Sequence, residues 1–252
     1  MINLRFKWLN KGEQIKAGEN EQLLIFHAKR LECLFGDIPI VKISSGINEI
    51  TTFSAQFDSP TVTGTKTAYI ANDEINLALI VASQPRLKHE FFATNYDKIQ
   101  LADTPHYKGD PKAGDSRRVW QLIGAESGLP FRLGLTVHGA RGTWSSTIHK
   151  FEEKALSNPA PPDFYEQFAY MTNPKGGWGI QVKQGYMEME TTSKNFFLTG
   201  KNFIREKVFI ADRSVEQIPL GSHPVTGGPG VQLAYFWVYT SSALELMEKF
   251  GG

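Results

Sequence analysis

Apolar and polar residues alternate in short runs along almost the whole chain, with glycine or proline between the runs. Runs of this kind predict half-buried strands separated by turns. Residues 1–20 are polar and glycine-punctuated, and they predict an edge strand or an arm more than a core element. Leu23–Phe26, Leu31–Phe35, Ile38–Ile43, Glu49–Phe57 and Ala68–Ile70 read as strands, with a loop through Ser59–Thr65. Ile75–Val81 is a continuous apolar run, suited to a strand buried on both faces. Prolines and glycines interrupt Gln84–Gly114, which predicts a connecting segment with long loops.

The second half repeats the character of the first without a visible sequence repeat. Arg117–Ile123 and Phe131–His138 predict strands, and Gly139–Gly142 turns the chain into Thr143–His149. Glu152–Pro162 reads as a loop. Phe164–Met171, with Glu166 in its interior, Gly176–Lys183, Lys207–Ala211 and Leu233–Tyr239 read as further strands. After a turn at Asp212-Arg213, Ile218-Pro219-Leu220-Gly221-Ser222-His223-Pro224 forms a corner. Proline fixes φ there and glycine permits positive φ, so His223 is held in one direction. Only Ser241–Phe250 has helical spacing, with Ser at its start and Gly251 past its end. Many short strands with almost no helix predict an all-β barrel or sandwich.

Composition narrows this picture. A chain of 252 residues accommodates one large or two small cores. Lys and Arg number 27 against 26 Asp and Glu, for a net charge of +1, which argues against partners recruited by bulk charge, such as nucleic acid or a membrane surface. A single cysteine, Cys33, excludes an internal disulfide and a Cys-based zinc site, and its apolar run places it in the core. The N-terminal residues lack a signal-peptide pattern and no stretch reaches the apolar length of a membrane span, so a cytoplasmic setting is expected.

Three residues have the chemistry of metal ligands: His149 at a strand end, Glu166 within the next strand, and His223 on the stiff corner. Two imidazoles and a carboxylate suit a divalent transition metal with open positions. The same residues also admit a plainer reading, with Glu166 facing outward and His149 as a rim residue. His138, in an alternating strand, reads as core or rim. His27, His89 and His106 have no neighbours that suggest a site. Arg117-Arg118 carry forked donors that match a carboxylate, although paired arginines are usually solvated. Gly227-Gly228-Pro229-Gly230 lies between two strands and reads as a loop, not a phosphate cradle.

The second half resembles the 5-deoxy-glucuronate isomerase family of myo-inositol catabolism, relatives of the 4-deoxy-5-hexulose-uronate ketol-isomerases. The resemblance is carried, in order, by Gly142-Thr143-Trp144-Ser145-Ser146 and His149-Lys150, by Glu166 among aromatics, and by Asn173-Pro174 with Gly177-Trp178-Gly179-Ile180-Gln181. Ile218–Val225 is the most specific block. It implies two cupin-type (double-stranded β-helix, jelly-roll) barrels, residues 1–122 and 123–252, with a short C-terminal helix and the metal site in the second barrel. It implies a divalent metal (Zn, Mn, Fe or Ni) held by His149, Glu166 and His223. The family's second histidine does not carry over: Phe151 stands at that position, and the adjacent Glu152 is the substitute ligand on offer.

The function this implies is aldose–ketose isomerisation of an open-chain sugar acid. Glu166 or a metal-bound hydroxide would shuttle the proton, and Arg118 or Lys183 would meet the substrate carboxylate. A non-catalytic or regulatory sugar-acid-binding cupin is the alternative, favoured by Phe151, and another cupin metalloenzyme such as a dioxygenase is a third. The expected partner is a small-molecule sugar acid, and edge strands leave room for a homo-oligomer.

Overall fold

In the computed structural model, the residues described are 2–18, 21–28, 31–35, 42–45, 55–57, 67–70, 75–83, 106–123, 131–145, 166–191 and 198–240. The chain divides into two compact units, Met1–Thr104 and Pro105–Gly252. The sequence reading placed the boundary after residue 122. It falls earlier because the strand Arg117–Ile123 hydrogen-bonds to Phe131–His138, inside the second unit.

The first unit contains β1 (Ile2–Leu9), β2 (Gln14–Lys16), β3 (Glu21–Ala28), α1 (Leu31–Phe35), β4 (Lys42–Ser45), β5 (Ala55–Phe57), β6 (Thr67–Ile70) and β7 (Ile75–Ser83). Its sheets are antiparallel, one in the order β1-β7-β3-β4 and one in the order β2-β6-β5. The continuous apolar run of β7 is explained by its central place. Leu77, Leu79 and Val81 are buried on one face, and Ala78 and Ile80 on the other. Ala78 and Ile80 pack with Leu9, Ile15, Ala17, Leu23 and Ile25 into one cluster.

Two expectations change here. β1 is an edge strand as expected, but it is also core: Leu4, Phe6 and Leu9 are buried, and Phe6 meets Phe26 edge to face. Leu31–Phe35 is one turn of helix where a strand was expected. Leu34 and Phe35 are both buried, as successive residues of a helical stripe can be, whereas strand neighbours point to opposite faces. The side chain of Cys33 lies outside the described residues, as do His89 and the side chains of His27 and His106.

The second unit contains β8 (His106–Lys108), a 3₁₀ turn at Pro111–Ala113, β9 (Arg117–Ile123), β10 (Phe131–His138), β11 (Trp144–Ser145), β12 (Glu166–Asn173), β13 (Trp178–Thr191), β14 (Leu198–Ala211), β15 (Val215–Ile218), β16 (Leu220–Ser222), β17 (Val225–Gly227) and β18 (Gln232–Thr240). Six strands form one sheet, β15-β12-β18-β10-β9-β8. A second has the order β11-β17-β13-β14, with β16 also paired to β13. The two sheets share a core: Phe168, Tyr170, Leu233 and Tyr235 from the first pack against Val225 and Ile210 from the second, with Ile218 and Val231. This unit is the barrel that positions the candidate site. The predicted helix 241–250 lies outside the described residues.

Two local devices fix the ends of the strands. At the corner after β15, Gly221 has φ 149°, and a Cβ there would stand 2.3 Å from the carbonyl oxygen of Gln184. At the other end, the Asp212 carboxylate accepts hydrogen bonds from Thr172 N at 2.9 Å and Gly176 N at 3.2 Å, joining the β14–β15 turn to the β12–β13 turn. No helix of the described residues is long and apolar enough to cross a membrane.

Candidate functional site

Strand register decides which side chains line the barrel. On β12, Glu166, Phe168 and Tyr170 share one face. Their partners on β18 are Tyr239, Trp237 and Tyr235, and the partners of those three on β10 are Arg132, Gly134 and Thr136. Phe168 and Tyr170 belong to the shared core, so this face points inward. Glu166 is therefore buried at the end of an inward-facing row, with 3% of its surface exposed. The outward-facing alternative for Glu166 does not hold. Gly134 is glycine for a steric reason: a Cβ there would run into the indole of Trp237.

His223 leaves the Gly221 corner and is also buried. Its ring meets Phe168 edge to face, with centroids 5.4 Å apart. The corner is held from behind by Gln181, which is fully buried. Its Nε2 donates to the carbonyl oxygens of His223 at 2.7 Å and Pro224 at 3.0 Å, and its Oε1 accepts from the Tyr170 hydroxyl. Gln181, placed in the sequence only as part of a motif, is thus a positioning residue for His223.

Aromatic rings fill the space between these groups. Phe168 stacks on Tyr235 at 4.7 Å, and Tyr170 lies 5.5 Å from Tyr235. Burial pushes both tyrosine hydroxyls above their usual pKa. Tyr170 goes well above, helped by Tyr235, Glu216 and Glu166 nearby. For Tyr235, the nearby hydroxyls of Ser145 and Thr136 and the charge of Arg117 pull the other way, and burial still prevails. Both hydroxyls therefore keep their protons at neutral pH and remain hydrogen-bond donors.

Lys183 is buried, and its ammonium is paired with Glu216 at 2.7 Å and, farther off, Glu206 at 3.6 Å. Any anion that Lys183 bound would share it with those carboxylates. Arg118 lies on the sheet face opposite the barrel interior, because it pairs with Val137, and its guanidinium sits over the Trp120 ring at 5.5 Å. Its neighbour Arg117 pairs with His138 and takes the inward side. The sequence presents Arg117-Arg118 without parity, since both faces of β10 are buried and the alternation carries no sign of which is inside.

His138 is a residue that the sequence reading set aside. It is wholly buried, its Nδ1 is 2.7 Å from the carbonyl oxygen of Thr143, and its ring lies 5.9 Å from Tyr235. Desolvation by burial lowers its pKa from 6.5 to about 4; the Thr143 carbonyl opposes this and Arg117 adds to it. It is a neutral imidazole.

His149, Phe151 and Glu152 lie outside the described residues. Among the described residues no group of three His, Cys, Asp or Glu side chains converges as a metal site. Glu166 and His223 supply one carboxylate and one imidazole to the barrel interior, with the Phe168 ring against His223, and this set by itself does not complete a metal centre.

No protein-family model matches the sequence, and no curated protein sequence does. Among solved structures, an IolB-like protein from Salmonella typhimurium LT2 aligns with a TM-score of 0.56 at 14% identity, over 95% of this chain and 83% of that one. A Cupin 2 conserved barrel domain protein from Salinispora arenicola CNS-205 aligns over 57% of this chain and 90% of its own, at 15% identity and a TM-score of 0.32. Ectoine synthase from P. lautus aligns over 62% of this chain and 83% of its own, at 14% identity and a TM-score of 0.34. The first of these likenesses shows a shared fold that runs through both units: the chain is all-β, with two cupin-type barrels.

Proposed function

We propose that the protein binds an open-chain sugar acid in its second barrel and interconverts its aldose and ketose forms. The carrying observation is the burial of Glu166 and His223 on the lining of one barrel, at two of the positions picked out by the resemblance to 5-deoxy-glucuronate isomerases. The fold neighbour bearing the IolB-like name agrees with that family. In this reading Glu166 takes a proton from the carbon next to the carbonyl, leaving an enediol. It returns the proton to the former carbonyl carbon, while a hydroxyl proton moves between the two oxygens. Nothing is oxidised or reduced overall, so no co-reactant is needed. The Tyr235 hydroxyl and the imidazole of His223 supply neutral hydrogen bonds to the sugar oxygens. Where they are buried, such preorganised groups count for more than they would in bulk solvent.

The test is proton exchange. Incubation with a uronate in D2O is expected to place deuterium on the carbon beside the carbonyl, read by NMR. Glu166→Gln is expected to slow that exchange by roughly 10²–10⁴-fold with the fold intact. Exchange at the wild-type rate in Glu166→Gln would remove Glu166 from the mechanism.

A second reading, binding without turnover, is favoured by Phe168 against the His223 ring and by Phe151 at a family ligand position. Thermal shift separates the two. Stabilisation by a uronate that is indifferent to chelator supports binding alone. Stabilisation and turnover that appear only on adding Mn, Fe, Zn or Ni support an isomerase in which His149 completes the ligand set.

A further inference from the structure

The end of the barrel at the β10–β11 turn holds a buried imidazole, His138, that the isomerase reading does not use. His138 Nδ1 faces the carbonyl oxygen of Thr143, which cannot donate, so the ring proton sits on Nδ1 and Nε2 carries the lone pair. Nε2 is buried and has no hydrogen-bond partner among the described residues. A buried acceptor in this state costs free energy, and native proteins almost always satisfy such groups with protein, water or ligand. The neighbours are not random. Tyr235 packs on the same face, with the Ser145 and Thr136 hydroxyls nearby and the Ser145 hydroxyl itself buried without a hydrogen-bond partner among the described residues, and the charge of Arg117 is felt by both His138 and Tyr235.

We propose that His138 Nε2 and the Tyr235 hydroxyl, with Ser145 beside it, form a receptor in the barrel interior for a hydroxyl group of a neutral or anionic polyhydroxy ligand. Nε2 needs a donor, which a sugar hydroxyl provides. The tyrosine offers either a donor or an acceptor to the same group or its neighbour. The guanidinium of Arg117 disfavours a cationic ligand at this end. The proposal deepens the sugar-acid reading and rests on it, assigning the hydroxyl-bearing end of the ligand to the β10–β11 end of the barrel.

The experiment uses the full-length protein with glucuronate, galacturonate, glucose and myo-inositol as probes, followed by calorimetric titration and by NMR of the histidine ring nitrogens. Binding of at least one probe is expected, with the His138 Nε2 resonance moving toward that of a hydrogen-bonded acceptor as the probe is added. His138→Phe, which keeps bulk and loses the acceptor, is expected to weaken binding about tenfold, while His138→Gln retains more of it. Binding in the wild type with an unmoved Nε2 resonance, or equal affinity in His138→Phe, overturns the receptor and leaves the sugar-acid reading standing. An Nε2 already hydrogen-bonded without probe, and unchanged by it, identifies a resident water and also overturns the receptor. No binding of any probe overturns both. The resonance measurement is made on the wild type, so the outcome does not depend on the variants folding.

Discussion

His138 accepts a proton only at the expense of the fold. Its pKa is about 4 in the barrel and returns to about 6.5 when the chain unfolds. Between those two values the unfolded chain binds the extra proton, so stability rises with pH across the window and is level above it. Acidification from pH 6.5 to 4 is thus expected to remove about 3 kcal/mol through this one group. Urea titrations at a series of pH values are expected to show that slope, and His138→Gln to flatten it; an unchanged slope would locate the acid sensitivity elsewhere. Lys183 gives a second prediction at this scale. Glu216→Gln removes the nearer of the two carboxylates that pair with the buried ammonium among the described residues, and is expected to destabilise the protein by about 2 kcal/mol. Lys183→Met should relieve part of that loss in the double variant, which a double-mutant cycle measures. Residue identity was the most legible layer of the sequence: the Glu166 and His223 positions were singled out from their settings, and both are buried. Face was less legible. Arg117 and Arg118 differ only in which side of β9 they occupy, and that depends on pairing with a strand whose residues are buried on both sides. His138 was passed over for the same reason, since nothing in an alternating run marks which polar residue meets a carbonyl five residues on.

Among elements, the corner after β15 is the most demanding. Gly221→Ala would place a methyl carbon against the Gln184 backbone at a φ that alanine rarely adopts. A loss of about 2–4 kcal/mol is expected, measured by chemical denaturation. Near-wild-type stability would mean that the corner relaxes freely and that His223 is not held as described. At this level the chain could be read well wherever a continuous apolar run or a clean alternation stood between turns, as in β3, β7, β9, β10 and β18. It failed at Leu31–Phe35, where five residues are too few to separate one helical turn from a short strand. It also missed the anchoring of turns. The Asp212 carboxylate is bound by amides 40 and 36 residues away in sequence, and long-range hydrogen bonds of this type leave no local pattern.

For the whole molecule, each of two clusters of buried residues lies within one unit. The cluster from Leu9 to Ile80 draws only on the first unit, and the cluster from Phe168 to Tyr235 only on the second. Residues 105–252 expressed alone are therefore expected to give a β-type circular dichroism spectrum and a cooperative thermal transition. A non-cooperative melt would show that the second core depends on the first. The contact between Thr136 and Trp237 has one more consequence. The Trp237 indole donates to the Thr136 hydroxyl at 3.1 Å and stacks on Tyr239, while Trp144 and Trp178 stand exposed. A soluble quencher thus reaches the latter pair first, and residual emission comes from the sheltered indoles. Because Thr136 pairs with Tyr235, a ligand bound beside that tyrosine is expected to alter the surroundings of Trp237, a change that ultraviolet fluorescence would read without any added label.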